Sequence, residues 1–411
     1  MDRSQIKQRA DYTHKYNSQI GRHGWLRLTP AYSVKIVGMM LHNVSNDVRI
    51  LDPFSGTATT SLCAAYLGYA ATSVEINPFL VWFGQVKNEI YSKDIIAETL
   101  NDVNSILDNV SNNECSSIVP PPIHNINRWW NEMDVKYLCK LIWSINDLYP
   151  CPTPSKDLLL IATCRLLIML SNASFNHQSM SFKDNIEPKK IDSGYTEHLS
   201  NMFMNELSYV LDSAAKNPKI KNEVLLGDSK QIHKISSGEF DMVITSPPYP
   251  NRISYIRELR PYMYWLGYLK KAREAGELDW STIGGTWGIA TSRLSEWQRN
   301  DNSFYPSYLL DILSKISDKD NKNGALLANY ISKYFEDIWD HLKSLTQVLS
   351  SECKIHYIIG NSIFYGILVP TEAVYMDMFK ELGFKDVKVN IIRKRNSKKE
   401  LYEYDISGSI T

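Results

Sequence analysis

The amino-acid sequence predicts an α/β fold with a mostly parallel sheet. Short apolar runs of strand length alternate with longer segments of helical period, which is typical of parallel strands joined by helical crossovers. The chain has 411 residues, of which 44% are hydrophobic. A chain of this size can bury a large core, and we therefore expect one large domain interrupted by an insertion.

The first predicted unit is a strand, a helix and a second strand within residues 48–75. A strand at residues 48–51 leads into the turn DPFSGTA, a helix spans residues 59–67, and a second strand ends in Glu75. Such a turn lets the backbone approach a nucleotide-like ligand, and an acid after the second strand can hold ribose hydroxyls. Glu75 follows Gly56 by 19 residues, which is close to the usual spacing of such sites.

Residues 92–219 are predicted to be a helical insertion between the second and third strands of the sheet. The predicted helices of this region are residues 95–109, 129–148, 156–171 and 195–215. The flanking segments, residues 1–91 and 220–411, are expected to form the sheet-containing domain.

The sheet pattern returns after the insertion. The predicted strands are residues 224–228, 240–244, 355–359 and 387–392. Two helical blocks, at residues 252–270 and 325–350, separate the middle pair of these strands. A second variable stretch, at about residues 272–303, carries Trp280, Trp287 and Trp297.

The most informative motif is Thr-Ser-Pro-Pro-Tyr at residues 245–249, directly after an apolar strand. Pro247 and Pro248 end the strand abruptly, because proline cannot donate to a sheet ladder and restricts the residue before it. The turn would then lie at the carboxyl end of a parallel strand, where open α/β sheets bind ligands. The Ser246 hydroxyl, the Pro247 carbonyl and the Tyr249 ring suit a planar base with an exocyclic amino group. An ordinary strand exit with a packed tyrosine is the alternative.

These motifs together resemble those of S-adenosylmethionine-dependent amino-methyltransferases that act on DNA. The matching segments, in order, are DPFSGTATT, SVEINP, the turn at residues 227–229 and TSPPY. YTHKY near the start, TSPPYPNRISYIRELRPYMYWLG and IHYIIGNSIFYGILVPT resemble one branch of that family. The resemblance covers roughly residues 10–90 and 222–396. It implies a Rossmann-like methyltransferase fold with a mostly parallel seven-stranded sheet, S-adenosylmethionine as cofactor and double-stranded DNA as substrate.

The resemblance also assigns roles to particular residues. It implies that Asp52 and Phe54 line the methionine and ribose side of the cofactor, that Glu75 accepts from the ribose hydroxyls, and that Asp228 accepts from the adenine amino group. The full implied cofactor set is Asp52, Pro53, Phe54, Ser55, Gly56, Thr57, Glu75, Ile76, Asp228 and Ser229, and the implied catalytic set is Ser246, Pro247, Pro248 and Tyr249.

Some of these residues have simpler explanations. Asp52 could be a helix N-terminal acid, Asp228 an Asx-turn residue and Ile76 part of the core. The family turn usually has a second glycine where this chain has Ala58. We therefore expect the backbone at Ala58 to avoid a φ that only glycine tolerates.

The prediction of the target base depends on a single residue, Ser246. A serine before Pro-Pro-Tyr resembles cytosine-N4 methyltransferases, whereas aspartate or asparagine there resembles adenine-N6 enzymes. A guanine-N2 methyltransferase acting on tRNA and a non-catalytic cofactor-binding regulator are further alternatives. A duplex hides the amino group, so the base would have to flip into the pocket. A cognate restriction endonuclease is a candidate partner, and the helical insertion is a candidate DNA-recognition region.

The net charge of zero gives no general attraction to nucleic acid, so a DNA surface would be local. The best candidates for such a surface are the basic runs at residues 393–399, 216–221 and 270–273, although each is interpreted first as a solvated face or loop. Aromatic and basic residues interleave at residues 252–265, where backbone contact and base stacking could combine.

The six cysteines indicate neither a metal site nor a covalent nucleophile. They form no CxxC pair and have no zinc-ligand spacing. Pro150-Cys151 matches the pair used by ring-carbon methyltransferases, but it lies between two helical segments and is interpreted as chance. Without a signal-peptide core or an apolar run of membrane-spanning length, we expect a cytoplasmic protein that binds neither metal nor membrane.

Overall fold

The computed structural model describes residues 6–112, 119–174, 181–183, 194–236, 238–286, 289–320, 323–396 and 400–410. Within these ranges the strands are β1 (Ile50–Asp52), β2 (Ala71–Glu75), β3 (Ala173–Ser174), β4 (Ser181–Phe182), β5 (Glu223–Leu226), β6 (Phe240–Thr245), β7 (Leu349–Gly360), β8 (Ser362–Phe364), β9 (Ile367–Val369), β10 (Lys385–Lys394) and β11 (Tyr402–Ser409).

The α-helices follow in chain order, with short 3₁₀ turns at Ala10–Tyr12, Gly21–Gly24, Ser229–Gln231 and Thr346–Val348. They are α1 (His14–Asn17), α2 (Val34–Met40), α3 (Thr59–Leu67), α4 (Pro78–Asn88), α5 (Lys93–Asn112), α6 (Ile126–Trp129), α7 (Glu132–Leu148), α8 (Pro154–Leu170), α9 (Tyr195–Ala214), α10 (Ile232–Ile235), α11 (Tyr255–Trp265), α12 (Ala272–Ser281), α13 (Ile289–Glu296), α14 (Ser307–Ser317), α15 (Gly324–Leu345) and α16 (Thr371–Glu381).

The main sheet has seven strands in the order β10-β11-β7-β6-β1-β2-β5. The strands from β5 to β7 pair in parallel, and β11 runs antiparallel to both of its neighbours. This confirms the predicted α/β class with a mostly parallel, seven-stranded, Rossmann-like sheet. β1 and β6 are neighbours, and the strand order reverses between them, so the turns that follow them meet where open α/β sheets place ligands.

Local sequence signals set several of these elements. α3 begins and ends at the predicted residues, and Gly68 closes it in the left-handed conformation at φ 96°. α4 begins at Pro78, and the Asn77 side chain accepts from the Phe79 N–H. β6 is buried except at Asp241, as its apolar sequence predicts for a central parallel strand.

Helices α5 to α9 lie between β2 and β5 along the chain and share one hydrophobic core with α4 and α11. The fully buried Arg22 side chain links this core to the N-terminal segment. Its guanidinium donates to the carbonyls of Lys87, Glu89 and Ala214. The helix predicted at residues 129–148 is α7, which begins at Glu132 because Asn131 caps its start, and Trp129 ends the short α6 instead.

The region between β6 and β7 contains more helix than the sequence predicted. The two expected blocks correspond to α11 and α15, but α12, α13 and α14 also form here. The Trp280 ring lies 4.8 Å from Lys333 Nζ and 5.5 Å from Arg293 Cζ. Trp287 lies outside the described residues.

Two further expectations about the backbone were incomplete or wrong. Strand β11 was not predicted, although Tyr402, Tyr404 and Ile406 alternate into the core. Ala58 was expected to avoid a glycine-type φ, yet it lies in the left-handed region at φ 59°. A non-glycine residue there costs roughly 1–2 kcal/mol, which the packing of the turn must offset.

In the described part of the chain, no helix combines the length and the apolar character needed to cross a membrane.

Candidate active site

A cavity of about 510 Å³ opens at the carboxyl ends of β1, β2, β5 and β6. Every predicted site residue except Asp52 and Thr57 lines it. Those residues are Pro53, Phe54, Ser55, Gly56, Glu75, Ile76, Asp228, Ser229, Ser246, Pro247, Pro248 and Tyr249. The turn after β1 and the turn after β6 therefore face one common space.

The turn after β1 is held between the N-terminal segment and β2. The Gly56 N–H donates to Glu75 Oε2 at 2.8 Å, and the Thr57 N–H donates to the Pro30 carbonyl at 2.9 Å. Gly56 has φ 50°, and a Cβ atom on it would lie 2.3 Å from the Pro30 oxygen. Glycine is therefore required at this position both by conformation and by space.

Asp52 lies behind the cavity wall and joins the two turns. Its carboxylate is fully buried, and Oδ1 accepts from Thr245 Oγ1 at 2.6 Å and from the Phe54 N–H at 3.1 Å. Burial raises the pKa of Asp52 to about 6, and these hydrogen bonds partly oppose the shift. Asp52 therefore links β1 to β6 and does not line the cavity, and the cofactor contact predicted for it stays a prediction.

Thr57 likewise faces away from the cavity. Its carbonyl accepts from the fully buried Lys87 Nζ at 2.5 Å. Burial lowers the pKa of Lys87 to about 7.

Glu75 faces the cavity from the end of β2. In addition to its bond from Gly56, the carboxylate accepts from the Asn77 N–H at 2.9 Å. Burial raises the pKa of Glu75 to about 7, and the backbone hydrogen bonds partly oppose the shift. Its charge therefore changes near neutral pH.

This shift gives a testable pH dependence. Because the folded-state pKa of Glu75 is raised above its usual 4.5 to about 7, the carboxyl ionises as pH rises from 6 to 8. A carboxylate accepts hydroxyl hydrogen bonds better than the neutral acid. For the ribose contact that the motif resemblance implies for Glu75, calorimetry should show S-adenosylmethionine binding more tightly at pH 8 than at pH 6.

Glu75→Gln should bind the cofactor more weakly, by about 1–3 kcal/mol, and its affinity should not change over this pH range. Glu258→Gln is the matched control. Glu258 lines the same cavity, and burial raises its pKa to about 7 as well. It should keep the wild-type pH slope, whereas a slope that persists in Glu75→Gln would contradict the assignment.

Asp228 forms the Asx-type turn that was the alternative explanation for it, and it also lines the cavity. One carboxylate oxygen accepts from the Lys230 N–H at 2.9 Å, which makes an Asx-type turn, and the other lies 3.7 Å from Lys230 Nζ. The next carbonyl, of Ser229, lies 3.0 Å from Nδ1 of the buried His341. The His341 ring packs edge-on against Phe54 with centroids 4.6 Å apart. Sequence reasoning did not identify His341.

The turn after β6 presents hydrogen-bond acceptors. The Ser246 hydroxyl donates to the Ile358 carbonyl at 3.0 Å, so its lone pairs are left to accept. The Pro248 carbonyl accepts from Tyr334 Oη at 2.8 Å. Among the described residues, no backbone or side-chain group donates to the Pro247 carbonyl. The contacts with Ile358 and Tyr334 thus fix the turn, and Ser246 and Pro247 line the cavity.

Several cavity residues were missed by the sequence analysis. They are Tyr12, Thr13, His14, Lys15, Arg27, Thr29, Tyr255, Glu258, Arg393, Arg395 and Glu403. The carboxylate of Glu258 accepts from the Thr29 N–H at 3.1 Å and from Thr29 Oγ1 at 2.9 Å. The YTHKY resemblance was the available signal for the N-terminal residues, but no role was attached to it.

Two interpretations of surface residues were wrong. Arg393 and Arg395 belong to a basic run interpreted as a solvated face, yet both line the cavity; residues 397–399 of that run lie outside the described part. In the aromatic stretch at residues 252–265, Tyr262, Tyr264 and Trp265 are buried in the core. These three rings are not available to stack on a base.

The cysteines with described positions are all free thiols, and Cys115 lies outside the described residues. Cys151 is exposed and does not line the cavity. In the described ranges, no three His, Cys, Asp or Glu side chains are grouped to hold a metal ion.

Two type II methyltransferases are similar to this chain in sequence. The type II methyltransferase M.BsoBI of Geobacillus stearothermophilus is 22% identical over 437 residues, covering 95% of this chain and 84% of that protein. The type II methyltransferase M.MvaI of Kocuria varians is 21% identical over 355 residues, covering 81% and 74%. These relatives support a methyltransferase enzyme.

Other comparisons add little. No known protein-family profile matches the sequence. Among solved structures, the rRNA methyltransferase aviRa of Streptomyces viridochromogenes aligns over 92% of this chain and 86% of that chain, with 8% identity and a TM-score of 0.28. A score this low does not relate the two sites or their substrates.

Proposed function

We propose that this protein is a site-specific DNA methyltransferase that transfers a methyl group from S-adenosylmethionine to the N4 amino group of cytosine in duplex DNA. The observation that carries the proposal is that the turns after β1 and β6 line one cavity and are joined by the bond between Thr245 and Asp52. Both relatives are named type II methyltransferases, a class that modifies DNA in restriction–modification systems. A cognate restriction endonuclease is the partner this proposal implies.

The residues of the cavity fit S-adenosylmethionine. The Ser55 hydroxyl is buried, lines the cavity and has no partner among the described residues, so a ligand can satisfy it. Glu75 offers carboxylate oxygens to ribose hydroxyls, Phe54 lines the methionine and ribose side, and Ile76 offers apolar surface to an adenine ring. Asp228 supplies an acceptor for the adenine amino group. When bound there, the cofactor supplies a methyl group activated by a positively charged sulfur.

The turn after β6 fits an exocyclic amino group. Its nitrogen lone pair is delocalised into the base, so the group is a poor nucleophile. Because the Ser246 proton is donated to Ile358, the Ser246 oxygen can accept one amino hydrogen, and the Pro247 carbonyl can accept the other. Two acceptors held in place orient the amino group and localise its lone pair. Methyl transfer then depends mainly on positioning.

The base must leave the DNA duplex to reach this turn, because a paired and stacked base cannot enter a cavity in the protein. Tyr249 lines the cavity beside Ser246 and offers a ring on which a flipped base can stack. Lys15 and Arg27 line the same cavity and supply positive charge for the flanking phosphates. Recognition of the DNA target sequence is assigned to the helical insertion, residues 92–219, or to the stretch at residues 272–303.

Cytosine is preferred to adenine because serine, and not an acid or amide, precedes Pro247. Nucleoside mass spectrometry of DNA from cells that express the protein should show N4-methylcytosine, and Gly56→Ala expressed in parallel should abolish it. N6-methyladenine without N4-methylcytosine would overturn the base assignment and leave the fold and the transfer mechanism standing. N2-methylguanine in tRNA, or no methylated product, would overturn the proposal that the protein is a DNA methyltransferase.

A further inference from the structure

The Tyr249 phenol is held by an ion pair between β10 and β11. Tyr249 Oη donates to Glu403 Oε1 at 2.9 Å. Glu403 is itself buried and accepts from Arg393 Nε at 2.7 Å and from Arg393 Nη2 at 3.1 Å. Arg393 and Glu403 face each other in the antiparallel register of the two strands. The C-terminal hairpin therefore reaches back to the turn after β6.

A second arginine covers the Tyr249 ring. The Arg395 guanidinium carbon lies 4.8 Å from the ring centroid, within cation–π distance. Arg395 Nη1 also donates to the Asn361 carbonyl at 2.9 Å, directly after β7. The buried Asn361 side chain is held in turn, because it donates to the Glu400 carbonyl and accepts from the Tyr402 N–H. The guanidinium is thus held by the Asn361 carbonyl and lies over the Tyr249 ring.

The end of β7 leaves room for this stack. A Cβ atom on Gly360 would lie 2.2 Å from Arg395 Nη1 and 2.9 Å from Tyr249 Cδ2. Any larger residue would therefore push the guanidinium and the ring away from each other or from β7. Gly360, Asn361 and Arg395 together hold the aromatic residue of the proposed base pocket in place.

We propose that Arg395 is a positioning residue that fixes the Tyr249 ring for stacking on the flipped base, with the Arg393–Glu403 pair holding the phenol. This proposal rests on the proposed function. Arg395 acts through Tyr249, and its contribution is to the rate at which bound DNA is methylated. It is not expected to contribute to cofactor affinity, because no described contact joins it to the turn after β1.

The activity test compares Arg395→Ala, Arg395→Lys and wild type on unmethylated phage DNA. At saturating DNA and cofactor, the single-turnover rate of Arg395→Ala should be about tenfold lower, as expected for the loss of a partly buried cation–π contact. Lysine keeps a charge above the ring and should restore most of the rate. Arg299→Ala is the matched control, because Arg299 lies 5.4 Å from the Tyr305 ring and does not line the cavity.

A wild-type rate in Arg395→Ala would overturn the proposal. So would an unchanged saturated rate with a higher KM for DNA and a shallower salt dependence, because that combination identifies a phosphate contact. Unchanged S-adenosylmethionine affinity and only a small fall in thermal midpoint are expected in Arg395→Ala, because the variant loses one hydrogen bond and one cation–π contact. A large fall in both would identify a purely structural role and also overturn the proposal. Absence of transfer to DNA by the wild-type protein would overturn the proposed function.

Fluorine NMR tests the contact between the Arg395 guanidinium and the Tyr249 ring independently of activity. The chain carries 24 tyrosines, so the Tyr249 signal in protein labelled with 3-fluorotyrosine is assigned by its loss in Tyr249→Phe. Its fluorine chemical shift should change in Arg395→Ala, change less in Arg395→Lys and stay the same in Arg299→Ala. A resonance that stays in place in Arg395→Ala would show that the guanidinium does not fix the ring.

Discussion

Gly56→Ala is expected to abolish measurable S-adenosylmethionine binding. The added Cβ would lie 2.3 Å from the Pro30 oxygen, and the residue would have to keep φ 50°. The backbone must shift, and both the hydrogen bond from Thr57 to Pro30 and the bond from Gly56 to Glu75 depend on its position. A misplacement of about 1 Å at a positioned site can cost on the order of 100-fold. Calorimetry with the purified variant measures the loss.

The control for this variant is Gly366→Ala. Gly366 also has a positive φ, 78°, but nothing lies within 4 Å of a Cβ placed there. It sits in the turn between β8 and β9 and does not line the cavity. This variant should lose roughly 1–2 kcal/mol of unfolding free energy and keep full cofactor affinity. Wild-type affinity in a folded Gly56→Ala protein would contradict the assignment of the turn after β1.

Ser246→Ala is expected to lower the single-turnover rate of methyl transfer on the order of 100-fold while leaving cofactor affinity nearly unchanged. The substitution removes the oxygen proposed to accept an amino hydrogen, and loss of one preorganised hydrogen-bonding group at a reacting centre typically has an effect of this size. It also leaves the Ile358 carbonyl without its donor. Rapid-quench measurement with saturating DNA and labelled cofactor separates the rate from binding.

Ser350→Ala controls for the structural part of that change. Ser350 donates to the Phe240 carbonyl at 3.1 Å, so it joins the starts of β6 and β7 much as Ser246 joins their ends. It lies away from the cavity, and its loss should reduce stability by about 1 kcal/mol without changing the rate. Equal rates for Ser246→Ala and wild type would remove Ser246 from the proposed transfer mechanism.

Features encoded locally were predictable from the sequence. The apolar run of β6 and the two prolines after it place the second turn, and Gly68 ends α3 where the sequence indicates. The alternation of strands and helices was sufficient for the parallel sheet. These signals depend on a few neighbouring residues, so they are visible before any long-range contact is known.

Long-range contacts could not be read in the same way. Thr245 meets Asp52 across 193 residues, and Tyr249 meets Glu403 across 154. A basic run resembles a solvated face in the sequence. Only the topology shows that β11 pairs with β7 and that β10 pairs with β11. Ala58 shows tertiary packing overriding a local preference, because the turn before α3 requires a left-handed residue and Ala58 is fully buried there.

The most direct test of the central claim is transfer of a tritiated methyl group from S-adenosylmethionine to nucleic acid by the purified protein. Unmethylated duplex DNA and total tRNA are offered separately, with Ser246→Ala as the matched control. We expect label in duplex DNA, none in tRNA and strongly reduced label with the variant. Label in tRNA alone, or equal labelling of DNA by Ser246→Ala, would contradict the assignment of this cavity as the active site of a DNA amino-methyltransferase.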